Sequence, residues 1–148
     1  MKDNNQPLVS VVIPCYNHEN FVQNCIQSVI DQTYQNIELI IIDDGSKDKS
    51  VEKIKEMEVL CNIRFTNFEF RDRLNKGLTH TLNESLEWVK GECLIIIASD
   101  DYMTSDRVEI QVEILRNNPE YYACSGSQLK IDENGCKLEY KFQNNLIK

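Results

Sequence analysis

The stretch "IELIIIDDGS", residues 37–46, places a run of apolar side chains directly before two adjacent carboxylates. "LIIIASDDYM", residues 94–103, repeats this arrangement. A continuous run of isoleucine, leucine and valine predicts a strand that is covered on both faces, as strands of a parallel sheet are. We therefore interpret "IELIIID" (37–43) and "CLIIIAS" (93–99) as buried strands, each of which ends in a pair of acids.

The rest of the chain alternates strand patterns with helix patterns. "LVSVVIP" (8–14) is a third apolar strand, and "NIRFTNF" (62–68) is a weaker one. Helical spacing of apolar residues predicts four helices: His18–Asp31 with Asn17 as N-cap, a helix from Ser46 or Asp48 to about Leu60, Leu78–Lys90 before Gly91, and Asp106–Asn117 after Ser105. "YYACSGSQLKI" and "CKLEYKF" flank the Asn-Gly turn signal in "DENG" and predict a hairpin. This order predicts an α/β fold, a mostly parallel open sheet with helices on both faces that ends in a β-hairpin.

Composition excludes several classes of protein. With 148 residues, 41% of them hydrophobic, the chain is long enough for one globular domain with a real core. The formal net charge of −8 disfavours nucleic acid as a partner, because phosphate backbones attract basic surfaces. The six cysteines are scattered without metal-ligand spacing, which favours reduced thiols over a disulfide framework. No apolar run approaches the ~20 residues of a membrane span, and the polar N-terminal sequence is unlike a signal peptide, so we expect a cytoplasmic location.

Three polar segments directly follow strong strands: residues 14–17, 43–44 and 100–101. Ligands of open α/β sheets bind beyond the carboxyl ends of the strands, so we expect these segments to meet at one edge. Neighbouring carboxylates repel one another, and a site that gathers several usually holds a hard cation such as Mg²⁺ or Mn²⁺. Such an ion can bridge diphosphate oxygens. The sequence therefore predicts a nucleotide and a metal ion at this edge.

Each of these features also has a plainer explanation. A pair of acids before a helix serves equally well as a turn and a cap, although two such pairs at parallel strand ends favour the cation. Tyr16 is either a core aromatic or a ring at the crevice that stacks on a base. Arg71, Arg73 and Lys76 form either a solvated loop or a set of phosphate ligands.

Two familiar kinds of nucleotide site are disfavoured. The chain has neither GxGxxG nor GxxxxGK[ST], the Gly-rich patterns of dinucleotide enzymes and P-loop proteins. His18 and His80 are far apart in sequence, and we interpret both as surface residues rather than as a pair of metal ligands.

The chain resembles the inverting family 2 glycosyltransferases, which have the GT-A fold. The resemblance lies in "VSVVIPCYNHENFVQNCIQSVIDQTYQNIELIIIDDGSKDKS", in "NKGLTHTLNESLEWVKGECLIIIASDDYMTSDRVEIQVEIL" and in the later "IDENG". It implies a donor domain that takes a nucleoside-diphosphate sugar, usually with Mg²⁺ or Mn²⁺, for transfer to an acceptor hydroxyl. The expected donor is a UDP-sugar, and the expected acceptor is a saccharide or a lipid-linked molecule in surface polysaccharide synthesis.

The resemblance also implies roles for individual residues. Tyr16 would lie against the base and Asp44 would accept a hydrogen bond from it, while Asp100 would face the ribose or diphosphate and Asp101 would ligate the metal. Many members carry an acid two residues before Asp100, where this chain has Ala98. The nucleotide-binding residues expected on these grounds are Pro14, Tyr16, Asn17, Asp44, Arg71, Arg73 and Asp100.

A second departure concerns the catalytic base. Members of the family continue into an acceptor-binding half that carries an Asp or Glu base, and no residue of this chain matches it. We therefore expect residues 1–148 to be a single GT-A nucleotide-sugar-binding domain that stops before that half, with any contact to a membrane surface made by the missing parts. The alternatives are a non-catalytic nucleotide-sugar-binding or interaction module and a nucleotidyltransferase, which is less favoured because "PCYNHEN" is neither Gly-rich nor basic.

Overall fold

The computed structural model of the protein describes residues 6–132, 136–141 and 145–147. The chain forms two compact units, which divide between Asp106 and Arg107. The first unit holds the parallel sheet and all of the residues expected to bind nucleotide or metal. In the part of the second unit that the structure describes, there are one helix and four short strands.

The first unit is a four-stranded sheet in which every neighbouring pair of strands is parallel. Its elements are β1 Val9–Cys15, α1 Val22–Ile30, β2 Ile37–Asp43, α2 Ser50–Lys55, α3 Glu58–Arg64, β3 Asn67–Asp72, α4 Leu78–Ser85 and β4 Cys93–Ile96. The strand order is β3-β2-β1-β4. Cys15 lies beside Asp43, and Asp43 lies beside Asp72, so three strands end at the same level. The alternation of strands and helices thus produces the α/β sheet that the sequence predicts.

The two central strands form the core. Every residue of β2 is buried, and so is every residue of β1 except the half-buried Pro14. Because successive side chains of a strand point to opposite faces, this burial means that both faces of the sheet are covered at β1 and β2. At the edge strand β4 Leu94 and Ile96 are exposed, contrary to the prediction of a buried strand there. On one face Trp88 and Val89 pack against Val12, Ile40 and Ile42. Each fully buried aliphatic side chain of this size contributes about 1.5–3 kcal/mol.

A buried carboxylate fixes the connection between α4 and β4 near the start of β1 and β2. Glu38 Oε1 accepts hydrogen bonds from the Ser10 hydroxyl and from the backbone N–H groups of Lys90 (2.6 Å) and Gly91 (3.2 Å). A Cβ atom at Gly91 would lie 2.6 Å from Ser10 N and 2.7 Å from Leu8 O. The connection therefore requires glycine at position 91, because no side chain fits against this backbone.

The first helix begins later than its apolar pattern predicts, at Val22 rather than His18. Asn17 does not cap it: this residue has a φ of 54°, and its side-chain oxygen accepts from Lys47 N at 2.8 Å. Asparagine tolerates this left-handed conformation better than most residues. The expected N-cap therefore serves the neighbouring loop instead of the helix.

The segment after β2 also differs from the prediction, because two short helices replace one. α3 extends to Arg64 and takes up residues that the sequence assigns to a strand, so β3 begins only at Asn67. Arg64 explains the longer helix, since its guanidinium donates to the carbonyl oxygens of Ile30, Gln32, Tyr34 and Gln35. α4 ends at Ser85 rather than Lys90, and β4 ends at Ile96 rather than Ser99.

The second unit comprises α5 Arg107–Asn117, β5 Ala123–Ser125, β6 Gln128–Ile131, β7 Lys137–Lys141 and β8 Asn145–Ile147. β6 and β7 pair antiparallel, which confirms the predicted hairpin, although its Asn-Gly turn lies outside the described residues. β5 pairs with β8, a strand that the sequence does not predict. Across the described part of the chain, no helix has the length and apolar character needed to cross a bilayer.

Candidate functional site

The loops that follow β1, β2 and β4 meet at one edge of the sheet. The backbone N–H of Asp44 donates to Cys15 O at 2.8 Å, and that of Ile97 donates to Val12 O at 3.1 Å. Beyond these strand ends, His18 Nδ1 lies 2.7 Å from Ser99 Oγ. The three polar segments that the sequence places after strong strands are therefore brought together in space.

The loop after β1 presents an aromatic ring at this edge. Asn17 N donates to Ser46 Oγ and Lys47 N donates to Asn17 Oδ1, both at 2.8 Å, so the loops after β1 and β2 hold each other. Tyr16 follows the half-buried Pro14 by two residues and directly precedes Asn17. The exposed fraction of Tyr16 is 43%. The ring is thus carried on a fixed backbone and remains open to a ligand.

Asp43, the last residue of β2 and the first acid of the pair, has a structural role. Its side chain is fully buried and accepts from the backbone N–H of Ser46 at 2.7 Å and from the Ser46 hydroxyl at 2.6 Å. Ser46 Oγ is also the atom that accepts from Asn17 N. Asp43 therefore shapes the turn that supports the loop after β1.

Asp44, the second acid, faces the loop after β3. It accepts from the Arg73 guanidinium and from the backbone N–H groups of Lys76 (2.8 Å) and Gly77 (2.9 Å). Burial alone would raise the pKa of Asp44, but these donors outweigh it and hold the pKa below its ordinary value. Asp44 is therefore a charged carboxylate with 5% of its surface exposed.

The two arginines proposed to meet phosphate lie in different surroundings. Arg73 Nε donates to Glu84 Oε2 at 2.7 Å and its Nη2 donates to Thr81 Oγ1 at 2.8 Å, in addition to its bond with Asp44. Arg71 has its Cζ 4.0 Å from the centre of the Trp88 ring, and its side chain is 50% exposed. Arg71 is therefore the more accessible of the two cations, while Arg73 joins the loops after β2 and β3.

Asp100 and Asp101 lie in a turn beyond β4, closed by Asp101 N donating to Ala98 O at 3.0 Å. The Asp100 side chain is 49% exposed, and Asp101 is also exposed. No group of three or more His, Cys, Asp or Glu residues that could hold a metal ion occurs in residues 6–132, 136–141 and 145–147. Mg²⁺ sites commonly combine one or two carboxylates with substrate phosphates. The two acids therefore fit an ion that binds together with a nucleotide.

His18 is a residue of this edge that the sequence pattern does not reveal. Its Nδ1 contacts Ser99 Oγ, its Nε2 lies 3.9 Å from Asp100 Oδ2, and its ring meets that of Phe21 edge-on at 6.2 Å. The expectation of an isolated surface histidine is therefore incomplete. The available signal is its place two residues after Tyr16, inside a loop that follows a buried strand.

Comparison with known sequences identifies one family. A model of glycosyl transferase family 2 matches residues 10–142. A Haemophilus influenzae protein named an uncharacterized glycosyltransferase is 34% identical over 147 residues, which cover 92% of this chain and 56% of that protein. The Escherichia coli UDP-Glc:alpha-D-GlcNAc-diphosphoundecaprenol beta-1,3-glucosyltransferase WfaP is 28% identical over 128 residues, which cover 84% of this chain and 48% of that protein. The chain thus spans about half the length of either relative.

Comparison with solved structures identifies the fold. S. aureus TarS 1-349 in complex with UDP-GlcNAc superposes with a TM-score of 0.67 at 21% identity, covering 84% of this chain and 34% of that one. The mannosyltransferase PcManGT from Pyrobaculum calidifontis in complex with GDP-Man and Mn²⁺ gives a TM-score of 0.65 at 23% identity, covering 84% and 35%. Both neighbours have the GT-A fold, and the likeness confirms that fold for this chain.

Proposed function

The chain belongs to glycosyl transferase family 2, and from this premise we propose that the edge of its parallel sheet binds a UDP-sugar. The whole protein then transfers the sugar to a saccharide or lipid-linked acceptor in surface polysaccharide synthesis. The observation that carries the proposal is the meeting of the Tyr16 loop, the Asp44–Arg73 pair and the Asp100–Asp101 turn at one edge. The name of WfaP, which specifies a UDP-sugar donor and a diphosphoundecaprenol acceptor, supports the donor and the acceptor class.

Tyr16 and Asp44 serve the base of the nucleotide. The exposed Tyr16 ring offers a flat surface on which uracil stacks. Asp44 Oδ1 accepts from Arg73 and Lys76, while Oδ2 accepts only from Gly77 among its hydrogen bonds in the structure. A carboxylate has about four acceptor sites, so Oδ2 retains one for an N–H group of the base.

Asp100 and Asp101 serve the diphosphate end. Asp101 ligates Mg²⁺ or Mn²⁺, with Asp100 beside it at the ribose or diphosphate. Arg71, which is half-exposed and pairs with Glu69 at 3.2 Å, is the more accessible arginine for the phosphates. The bound ion supplies neutralisation of the charge that develops on the diphosphate as it leaves. The Mn²⁺ in the PcManGT complex supports a divalent ion at this position. Binding through an ion also explains how a chain of net charge −8 takes an anionic donor.

Calorimetric titration of UDP into the 148-residue protein tests this proposal. We expect binding with Mn²⁺ or Mg²⁺ and none in excess chelator, since no Gly-rich loop is present to hold phosphates. Asp101→Asn should abolish the metal-dependent binding. Asp106→Asn, which removes an exposed acid of the same unit, is the matched control and should bind as the wild type does. Equal affinity with chelator and with metal would contradict the proposal.

A further inference from the structure

Arg73 has little hydrogen-bonding capacity left for a phosphate group. Its guanidinium has five N–H donors in a planar fork. Four of them meet acceptors within the protein: Glu84 Oε2 at 2.7 Å, Thr81 Oγ1 at 2.8 Å, Leu74 O at 3.0 Å and Oδ1 of Asp44. The side chain is 14% exposed. The contact of Arg73 with the proposed nucleotide site is therefore made through Asp44.

The two oxygens of Asp44 differ in the number of donors that they meet. Oδ1 accepts from the Arg73 guanidinium and from Lys76 N, whereas Oδ2 accepts from Gly77 N alone among the residues that the structure describes. A carboxylate has about four acceptor positions, which its two oxygens share equally. Oδ1 is therefore filled, and Oδ2 has one position left. Since the Asp44 side chain is 7% exposed, a base can reach it only at a small opening.

The bases of nucleotides differ in what they offer to a carboxylate. Uracil and thymine present one ring N–H between two carbonyl oxygens. Guanine presents a ring N–H beside an amino group, and these two donors suit a carboxylate with both oxygens free. At Asp44 the second donor of guanine would meet an oxygen whose positions are filled, and a donor that loses water without gaining an acceptor weakens binding. The single open position therefore fits uracil or thymine better than guanine.

We propose that Arg73 is a specificity-determining residue of the donor site. By filling a position on Asp44 Oδ1, the guanidinium limits the site to a base with one ring N–H, which is uracil or thymine. Glu84 and Thr81 hold the guanidinium in this position. The inference rests on the proposed function, in which Asp44 contacts the base, and it extends that function to the choice among nucleotides.

The first test uses the unmodified protein and two purine nucleotides, GDP and inosine diphosphate, measured by calorimetry with Mn²⁺ in excess. The base of inosine diphosphate is guanine without the amino group, so the comparison removes the second donor and keeps the size of the ring system. Inosine diphosphate should bind about tenfold tighter than GDP, or more. UDP and dTDP should also bind more tightly than GDP, and the tighter of the two identifies the base. An affinity for GDP equal to or above that for inosine diphosphate would overturn the proposal.

The second test removes the guanidinium. Arg73→Met keeps a side chain of similar length without donors, so a position on Asp44 Oδ1 becomes free for the guanine amino group. The ratio of GDP affinity to inosine diphosphate affinity should then rise about tenfold or more. A purely structural role of Arg73 would weaken both nucleotides alike and leave this ratio unchanged, which would overturn the proposal. Glu84→Gln is the matched control, because it removes a charge beside the same guanidinium without removing the Arg73–Asp44 bond, and it should keep the wild-type ratio.

The outcomes separate this inference from the proposed function. Metal-dependent UDP binding, together with GDP binding at least as tight as that of inosine diphosphate, overturns the role of Arg73 and leaves the UDP-sugar site standing. Absence of UDP binding in the wild type overturns both. If Arg73→Met fails to fold, the comparison of GDP with inosine diphosphate in the wild type still decides.

Discussion

At the scale of single residues, Asp44 and Arg73 form an ion pair with a structural role, and Asp44 is also the residue proposed to contact the base. The pair joins the loops after β2 and β3, with Glu84 and Thr81 completing the set of partners around the guanidinium. Burial alone would lower the pKa of Arg73, but the adjacent carboxylates outweigh it and raise the pKa. The nucleotide contact proposed for Asp44 would therefore depend on a structural ion pair, and stability and binding should both change when the pair is removed.

Asp44→Asn should destabilise the protein by about 2–4 kcal/mol, because Arg73 would lose a charged partner in a mostly buried position. The pKa of Asp44 is lowered in the folded state. Its stabilisation is therefore present above the unfolded pKa, about 3.9, and is lost as the pH falls through the lower folded pKa. Urea unfolding should show the largest difference in the free energy of unfolding between wild type and variant at neutral pH. This difference should become smaller below pH about 4.

Asp72→Asn is the matched control for this measurement. Asp72 also ends a strand, but its side chain is 55% exposed and its nearest cation, Lys55 Nζ, is 4.0 Å away. Exposed pairs of this kind contribute about 0–1 kcal/mol. Two results would show that the Asp44–Arg73 pair does not stabilise the fold. One is a loss of unfolding free energy in Asp44→Asn that does not depend on pH, and the other is an equal loss in Asp44→Asn and Asp72→Asn.

Tyr16 offers a test of stacking that is separate from its hydroxyl. Tyr16→Phe should keep most of the UDP affinity, whereas Tyr16→Ala should lose about 1–3 kcal/mol of binding free energy, the usual contribution of a base stacked on an aromatic ring. Tyr122→Ala, at a position where 86% of the tyrosine surface is exposed, is the control. Equal affinities for the wild type and Tyr16→Ala would exclude the ring from the site.

At the scale of elements, the sequence is most informative where burial decides the structure. "IELIIID" predicts β2 at its observed bounds, and "LVSVVIP" predicts β1 within one residue, because a short, mostly apolar run rich in isoleucine and valine is typical of a strand covered on both faces. Long-range polar contacts decide what the pattern misses. The Asn17–Lys47 bond delays α1, and the bonds from Arg64 to the loop after α1 extend α3. The contact of His18 with Ser99 is also a long-range polar contact, and the periodicity of the sequence therefore does not predict that His18 lies at this edge of the sheet.

The connection between α4 and β4 should tolerate almost no change at Gly91. Gly91→Ala places a methyl group against Ser10 N and Leu8 O, which are backbone atoms of the β1 region and cannot rotate away. We expect a loss of about 1–3 kcal/mol or more, measured as a lower thermal midpoint. Gly126→Ala, where a Cβ would meet nothing within 4 Å, should leave the midpoint almost unchanged. Similar thermal midpoints for both variants would mean that the backbone around Gly91 can shift to accommodate a methyl group.

At the scale of the whole molecule, the thiols should report on opening of the core. Burial raises the pKa of Cys15 to about 11, and it also raises the pKa values of Cys25 and Cys61, so these thiols are protonated as well as inaccessible. Cys136 is exposed. Under native conditions a thiol reagent should modify Cys136 at once, and the three buried thiols only at the rate of unfolding, as followed by mass spectrometry of the labelled peptides. Fast labelling of Cys25 would reveal a core that opens without global unfolding.

Sugar transfer requires more than the donor site. An inverting reaction needs a base within hydrogen-bond reach of the acceptor hydroxyl, and a surface that holds this hydroxyl against the sugar carbon. The strand-end acids have other tasks: Asp43 and Asp44 hold the loops, and Asp100 and Asp101 are assigned to the donor and its metal. We therefore expect donor binding and transfer to separate in this chain.

We accordingly expect the 148-residue protein to bind UDP-sugar, and at most to hydrolyse it slowly, without efficient transfer. Hydrolysis requires no acceptor surface, because water takes the place of the acceptor. Incubation with radiolabelled donor and either lipid-linked or oligosaccharide acceptors, followed by separation of free sugar from product, distinguishes the two reactions. An acceptor-dependent turnover on the order of 1 per second or more would show that the base lies within this chain. The exposed acids of its second unit, Glu109, Glu113 and Glu120, would then be the first candidates for substitution.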